Sequence, residues 1–306
     1  MNEDLGQTQP SRFMQDPTPD FVERCREVVD QWEIGALPVK DAIAALRQFR
    51  EQASILRYLA NQGYAEHLLG YIEHLRGNLE SSIQHYLRAR AIYERIENRK
   101  FIAQMNLNLG ENYRFQGNFD RALELYEDAY TTAGSLGNLF LQTFALLNKG
   151  MALLDLDELN NAHQALQDAL SLTQRWLDHL EQREGVLCEI HYGLALFYWQ
   201  NNDSDAAWKN ALQAHEMAQK NNQPRSAGYA YRITGILVSE WGTVPGSTLS
   251  TDPDDHFQKA LLAFRTINAE AELARHQPVV VMVDHRNGLK NTASAEKPLA
   301  FFSISS

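Results

Sequence analysis

Cysteine is scarce in this chain. Cys25 and Cys188 are its only two, far apart and without CxxC spacing. Both fall on apolar helical stretches and read as buried thiols of a protein kept in a reducing compartment. Basic residues are also in deficit: 28 Lys and Arg face 39 Asp and Glu, a net charge of −11. Nonspecific nucleic-acid binding and anionic membrane surfaces both need Lys and Arg, so neither is an expected partner. The N-terminal stretch lacks the basic-then-apolar pattern of a signal segment, and no apolar run approaches the length of a membrane span. A cytoplasmic protein is the simplest expectation. The chain also contains no GxxxxGK[ST], GxGxxG, GxSxG or HExxH. No catalytic residue, cofactor or metal site is therefore expected.

A repeat is present instead. Gly70, Gly110 and Gly150 lie 40 residues apart and each opens the same frame. Leu69-Gly70 is followed by Gly77-Asn78, Ser82, Tyr86 and Ala89; Leu109-Gly110 by Tyr113, Gly117-Asn118, Ala122, Tyr126 and Ala129; Lys149-Gly150 by Leu153, Ala162, Leu166 and Ala169. Looser copies follow at Leu194-Ala195 (Tyr198, Ala207, Ala211, Ala214) and at Thr234-Gly235 (Val238, then Phe257 and Ala260). A fixed period of this size marks a stacked array of supersecondary units. The small residues allow two helices to touch, aromatics fill the space around the contact, and Gly-Asn ends the first helix with a left-handed residue.

The frame resembles the tetratricopeptide repeat, whose pattern is Leu-Gly, Tyr, Ala, Phe/Tyr, Ala, and the unit from about 103 to 136 carries almost every landmark. The period exceeds the 34 residues of the standard unit, which implies longer helices or a longer turn. The longer form is similar to the sensor-domain repeats of large bacterial transcription regulators and peptide-sensing phosphatases. The resemblance implies an all-α fold: a right-handed superhelical α-solenoid of about five helix pairs.

Around the array, residues 1–20 hold three prolines and many polar residues and are expected to form a disordered tail. Residues 21–61 are expected to form an N-terminal helical cap, with helices near Phe21–Glu33 and Pro38–Leu59. The solenoid is expected over 62–276, interrupted by an insertion at 242–254 rich in Gly and Pro. Residues 277–306 form a C-terminal extended tail; its runs Val279–Val283 and Leu299–Phe302 suit either a small hairpin or segments laid on the helices.

In such an array the first helix of each pair lines a concave groove, the usual binding surface. Positions two or three before the small landmark, and one, four or five after it, select His67, Tyr71 and His74; Leu107, Asn108, Glu111, Arg114 and Phe115; Leu147, Asn148, Met151 and Asp155; Tyr192, Leu196 and Trp199; and Arg232 and Ile236. Asn108 and Asn148 occupy one place in consecutive repeats. In peptide-binding members of the resembled family an asparagine near this place pairs with the ligand backbone; the alternative is a bond between neighbouring helices. Family members that bind heat-shock tails hold a carboxylate with lysines, which the matching positions here lack. Arg114 and Arg232 suit an acidic group, although Glu111 stands beside Arg114. His67 and His74 share a face but have no further ligand, so a groove patch is expected rather than a metal site. Asp155, Asp157 and Glu158 lack the Gly and Glu of a calcium loop and are expected to form a capping turn. Trp176, Trp199, Trp208 and Tyr198 are expected to pack between helices.

The resulting expectation is a noncatalytic scaffold that binds a protein segment or peptide in its groove. Alternatives are a signalling regulator that changes shape on binding a peptide or small ligand, and a structural subunit that docks through its tails.

Overall fold

A computed structural model describes residues 15–176, 180–243 and 248–274. Among the described residues the chain is helical, with no strand. Its helices are α1 (Pro19–Glu33), α2 (Val39–Ile55), α3 (Leu59–Leu75), α4 (Leu79–Arg95), α5 (Arg99–Phe115), α6 (Phe119–Ser135), α7 (Leu139–Asp155), α8 (Leu159–Thr173), α9 (Leu180–Gln200), α10 (Ser204–Asn221), α11 (Pro224–Trp241) and α12 (Pro253–Thr266), followed by a helical turn at 270–274. Consecutive helices pack most closely as α3/α4, α5/α6, α7/α8, α9/α10 and α11/α12. The fold is an all-α solenoid of five pairs with α1 and α2 at its N-terminal end.

The period of 40 has a simple anatomy. From α3 to α7 every helix is 17 residues long, and three-residue turns join them. The extra length over a standard unit lies in the helices. Each turn carries a left-handed residue: Gly77, Glu97, Gly117, Gly137 and Asp157 all have φ between 56° and 77°. The next residue is Asn at 78, 98, 118 and 138, and the side chains of Asn98, Asn118 and Asn138 accept a hydrogen bond from the third residue beyond. These amides satisfy N–H groups that a helix start leaves open. The turn therefore recurs every half-period. Asp157 forms the expected capping turn at φ 61°.

Close contact within each pair explains the landmark glycines. A Cβ on Gly70 would stand 2.7 Å from the Tyr86 ring, one on Gly110 2.5 Å from Tyr126, one on Gly150 2.7 Å from Leu166, and one on Gly235 2.6 Å from Phe257. The fourth pair places Ala195 at the landmark, and Ala211, equally small, stands where the others carry the large residue. Both are fully buried.

At the N-terminal end, α1 starts at Pro19 and residues 15–18 are held in place. Asn98 donates to the Gln15 carbonyl (2.7 Å) and to Asp16 (2.8 Å), and the Thr18 amide donates to Asn61 (2.8 Å). That part of the expected tail is thus ordered by polar contacts that composition does not reveal. The break between α2 and α3 falls at Arg57, left-handed at φ 59°, so a boundary at 61 lies inside α3. The break between α11 and α12 coincides with the Gly- and Pro-rich stretch from Gly242; its residues 244–247, like residues 1–14 and both β-prone runs of the C-terminal tail, lie outside the described residues.

The two ends of the solenoid meet. Asn268 donates to the carbonyl of Trp32, 236 residues earlier, at 3.3 Å. The backbone nitrogen of Ala271 lies 3.9 Å from the Cβ position of Gly77. One apolar cluster joins Trp32, Leu69, Ile72 and Leu75 to Phe264, Ala269 and Leu273. The array closes on itself, and the inner helices α3, α5, α7, α9 and α11 surround a lumen.

Candidate functional site

The expected groove is this lumen. A pocket of about 370 Å³ is lined by Glu111 and Arg114 from α5, Leu147, Asn148 and Met151 from α7, Glu189 and Tyr192 from α9, Tyr229 and Arg232 from α11, and Glu272 from the closing turn. Four consecutive inner helices and the last described segment contribute to this one pocket.

Its charges are organised into networks. The Arg114 guanidinium is buried and donates to both Glu111 oxygens (3.0 and 2.6 Å) and to Asp155 (2.8 Å), tying α5 to α7. The Tyr126 hydroxyl donates to the same Glu111 carboxylate at 3.1 Å. Burial by itself would lower the Arg114 pKa; the two carboxylates outweigh it and hold it well above the ordinary value. On the far wall Arg232 donates to the Glu272 carboxylate (2.9 Å) and to the Glu272 carbonyl (2.8 Å), and Tyr229 donates to Glu272 at 2.7 Å. Burial, then Glu272 and Glu189, hold the Tyr229 phenol well above its usual range. The arginines expected to hold a partner's acidic group thus hold the protein's own carboxylates. Burial pushes the Glu189 carboxyl up to about 7, with Arg225 the chief opposing charge.

These inner helices carry a recognisable frame: a tetratricopeptide repeat family model matches residues 62–135, from α3 to the end of α6. Residues 62–135 are tetratricopeptide repeats. The later pairs continue the same landmarks to α12. A comparison with curated proteins gives no match. Among solved structures, the crystal structure of BtubC (BKLC) from P. vanneervenii matches at 17% identity and a TM-score of 0.49, covering 88% of this chain and 99% of that one.

The residues selected from the tetratricopeptide frame separate into groups. Glu111, Arg114, Asn148, Met151, Tyr192 and Arg232 line the pocket together. Tyr71 and His74 on α3 lie beside it: Tyr71 donates to Glu33 at 2.6 Å, and His74 pairs with Asn112 at 3.2 Å and feels the charge of Glu111 and Glu272. Asn108 is half-buried outside the lining set, and its carbonyl accepts from Asn112 (2.8 Å). His67 is buried between the rings of Tyr64 and Tyr86, and its Nδ1 has no hydrogen-bond partner among the described residues. Trp199 is buried in the cluster of Tyr192, Ala207 and Trp208. Trp176 packs on Phe140 and donates to Thr143 (3.1 Å), the interhelical role expected of it.

Sequence reasoning missed Glu189, Tyr229 and Glu272. Glu189 and Tyr229 both stand six positions before their repeat's landmark. The signal was available, because a helical face continues at these offsets. Glu272 belongs to a segment without landmarks and reaches the lumen only through closure. Among the described residues, no group of three His, Cys, Asp or Glu is placed to hold a metal ion, and no described helix is long and apolar enough to cross a membrane.

Proposed function

We propose that this protein is a noncatalytic scaffold that receives a protein segment or peptide at its inner face. Tetratricopeptide repeats generally mediate protein–protein interaction, and their inner helices supply the contact surface. The observation that carries the reading is the convergence of Asn148, Met151, Tyr192 and their neighbours from successive repeats on one polar pocket. Such a surface offers amide, phenol and thioether contacts to an extended chain. Closure adds a constraint: a segment enters as a chain end or a narrow loop, not as a folded face.

The test is affinity purification from the source cell with the full-length chain and an Asn148→Ala, Met151→Ala variant. The expected result is a partner lost only by the variant, with thermal unfolding little changed. A wild-type bait that recovers nothing, or a variant that keeps every partner, rejects the reading.

A second reading, a regulator that changes shape on binding, is favoured by the joint between the ends, where, among the described residues, the Asn268 bond to the Trp32 carbonyl supplements apolar contact. It requires the scattering radius to change when the recovered partner is added; an unchanged radius rejects it.

A further inference from the structure

The turn that closes the array puts a glutamate on the inner face of α11. Residues 270–274 follow the last landmark helix and belong to no repeat. Glu272 is nevertheless buried, and so are Ala269, Ala271 and Leu273 around it. The Glu272 Oε1 accepts from the Tyr229 hydroxyl at 2.7 Å, and its Oε2 accepts from the Arg232 guanidinium at 2.9 Å. A second guanidinium nitrogen of Arg232 donates to the Glu272 backbone carbonyl at 2.8 Å. One residue is thus held by its side chain and its main chain together, through the planar fork that Arg presents. The donors themselves rest on the repeats. The Arg232 guanidinium lies 4.5 Å over the Phe264 ring of α12, and Tyr229 packs against the same ring at 5.6 Å. A receiving site built on α11 and α12 therefore holds a residue from outside the repeat frame.

We propose that Tyr229 and Arg232 form a receptor site for a glutamate of an acidic peptide, and that Glu272 is its internal occupant, displaced when the partner segment binds. The chemistry of the partner follows from that of the turn: a glutamate flanked by Ala or Leu. A carboxylate is required, because an occupant without one would leave the Arg232 guanidinium buried with its opposing charge removed. The small and aliphatic flanks are required because Ala269 and Leu273 share an apolar cluster with Leu69 and Phe264. The turn is tethered to α12, which gives it an effective concentration on the order of millimolar. A partner therefore displaces it only by adding contacts of its own. Arg232 and Glu272 line the same pocket as Asn148 and Met151, so a segment bound at those two residues runs up to the glutamate site. Displacement also opens the joint between the ends, because the same segment carries the Asn268 bond to Trp32. The inference rests on the inner face being the binding surface, and it narrows the occupant.

The experiment uses the full-length chain and a synthetic peptide with the sequence of residues 268–274, labelled at its N-terminus and amidated at its C-terminus. Fluorescence anisotropy measures binding to wild type and to Glu272→Ala, whose helicity is checked first. The expected result is that Glu272→Ala binds the peptide at least about tenfold more tightly than wild type does. A peptide carrying Glu272→Gln should bind this variant about tenfold or more weakly, and adding Arg232→Gln to the variant should abolish binding. The inference is overturned if the folded variant does not bind the peptide, if wild type binds it equally well, or if the Gln peptide binds as well as the Glu one. Should Glu272→Ala fail to fold, hydrogen exchange on wild type decides. Millimolar peptide should then speed exchange of the chain's own amides at 268–274, and unchanged exchange overturns the inference. In each failure, a partner still lost by the Asn148→Ala, Met151→Ala variant leaves the scaffold reading standing while this one falls.

Discussion

Replacing Gly110 by Ala should destabilise the protein, although Ala is the better helix former. In an exposed helix the exchange gains about 1 kcal/mol. At Gly110 the new methyl would sit 2.5 Å from Cε1 and 2.9 Å from Cδ1 of Tyr126. That ring is fully buried, and its hydroxyl is bonded to Glu111, which also holds Arg114. It has no free direction in which to yield. Overpacking of this kind costs about 1–3 kcal/mol, so the net effect is a loss of up to ~2 kcal/mol. For a chain of this size that lowers the melting temperature by up to roughly 8 °C. The fourth repeat indicates the compensation, since Ala195 there faces Ala211. In a double-mutant cycle with Tyr126→Ala, the two changes should couple favourably by about 1–3 kcal/mol. Chemical denaturation of the four proteins measures the coupling. A Gly110→Ala variant more stable than wild type, or additive mutations, would refute the packing argument.

Acid should loosen the fold. Burial lowers His67 and His215 from 6.5 to about 4, and it lowers His74 and His191 in the same direction. The unfolded chain then binds more protons below pH 6.5, so the contribution is complete above 6.5 and is lost on acidification toward 4. His67 and His215 account for ~3 kcal/mol each, and Glu189, raised from 4.5 to about 7, opposes them by a similar amount. Stability should therefore fall by ~3 kcal/mol between pH 6.5 and 4, and more steeply in Glu189→Gln; a flat denaturation profile would contradict this. Asp157→Gly should gain up to ~1 kcal/mol by relieving a left-handed residue at φ 61°, and a measured loss would contradict it. Burial pushes the Cys25 thiol up to about 12 and raises Cys188 as well, so neither should react with a disulfide reagent at pH 8 until denaturant is added; rapid reaction of the folded protein would contradict this burial.

Much of the fold was legible because each repeat solves the same packing problem with the same residues. A glycine facing Tyr86, Tyr126 or Leu166 leaves a mark every 40 positions, and left-handed Gly77 and Gly117 mark where a helix must stop. The half-period turn was less legible, because Glu97 and Asp157 occupy the left-handed place that Gly holds elsewhere. The lumen was legible for one turn of helix on either side of the landmark, which found Asn148, Met151 and Tyr192 but stopped short of Glu189 and Tyr229. Closure left no local signature. It follows from small rotations summed over the pairs, and it is completed by Asn268, Ala271 and Glu272, which belong to no repeat.

The central claim is that the solenoid closes and turns its groove into a lumen. Spin labels at Ile34→Cys and Leu262→Cys test it directly, because both positions are exposed, 76% and 67%, while the native cysteines are buried. In an open array with helix spacings of 8–10 Å, the end pairs would stand roughly 50 Å apart. The closed solenoid predicts one narrow distribution centred below about 35 Å, because adjacent helices lie about 10 Å apart and the labels add only their own reach. A distribution centred near the open value would contradict it.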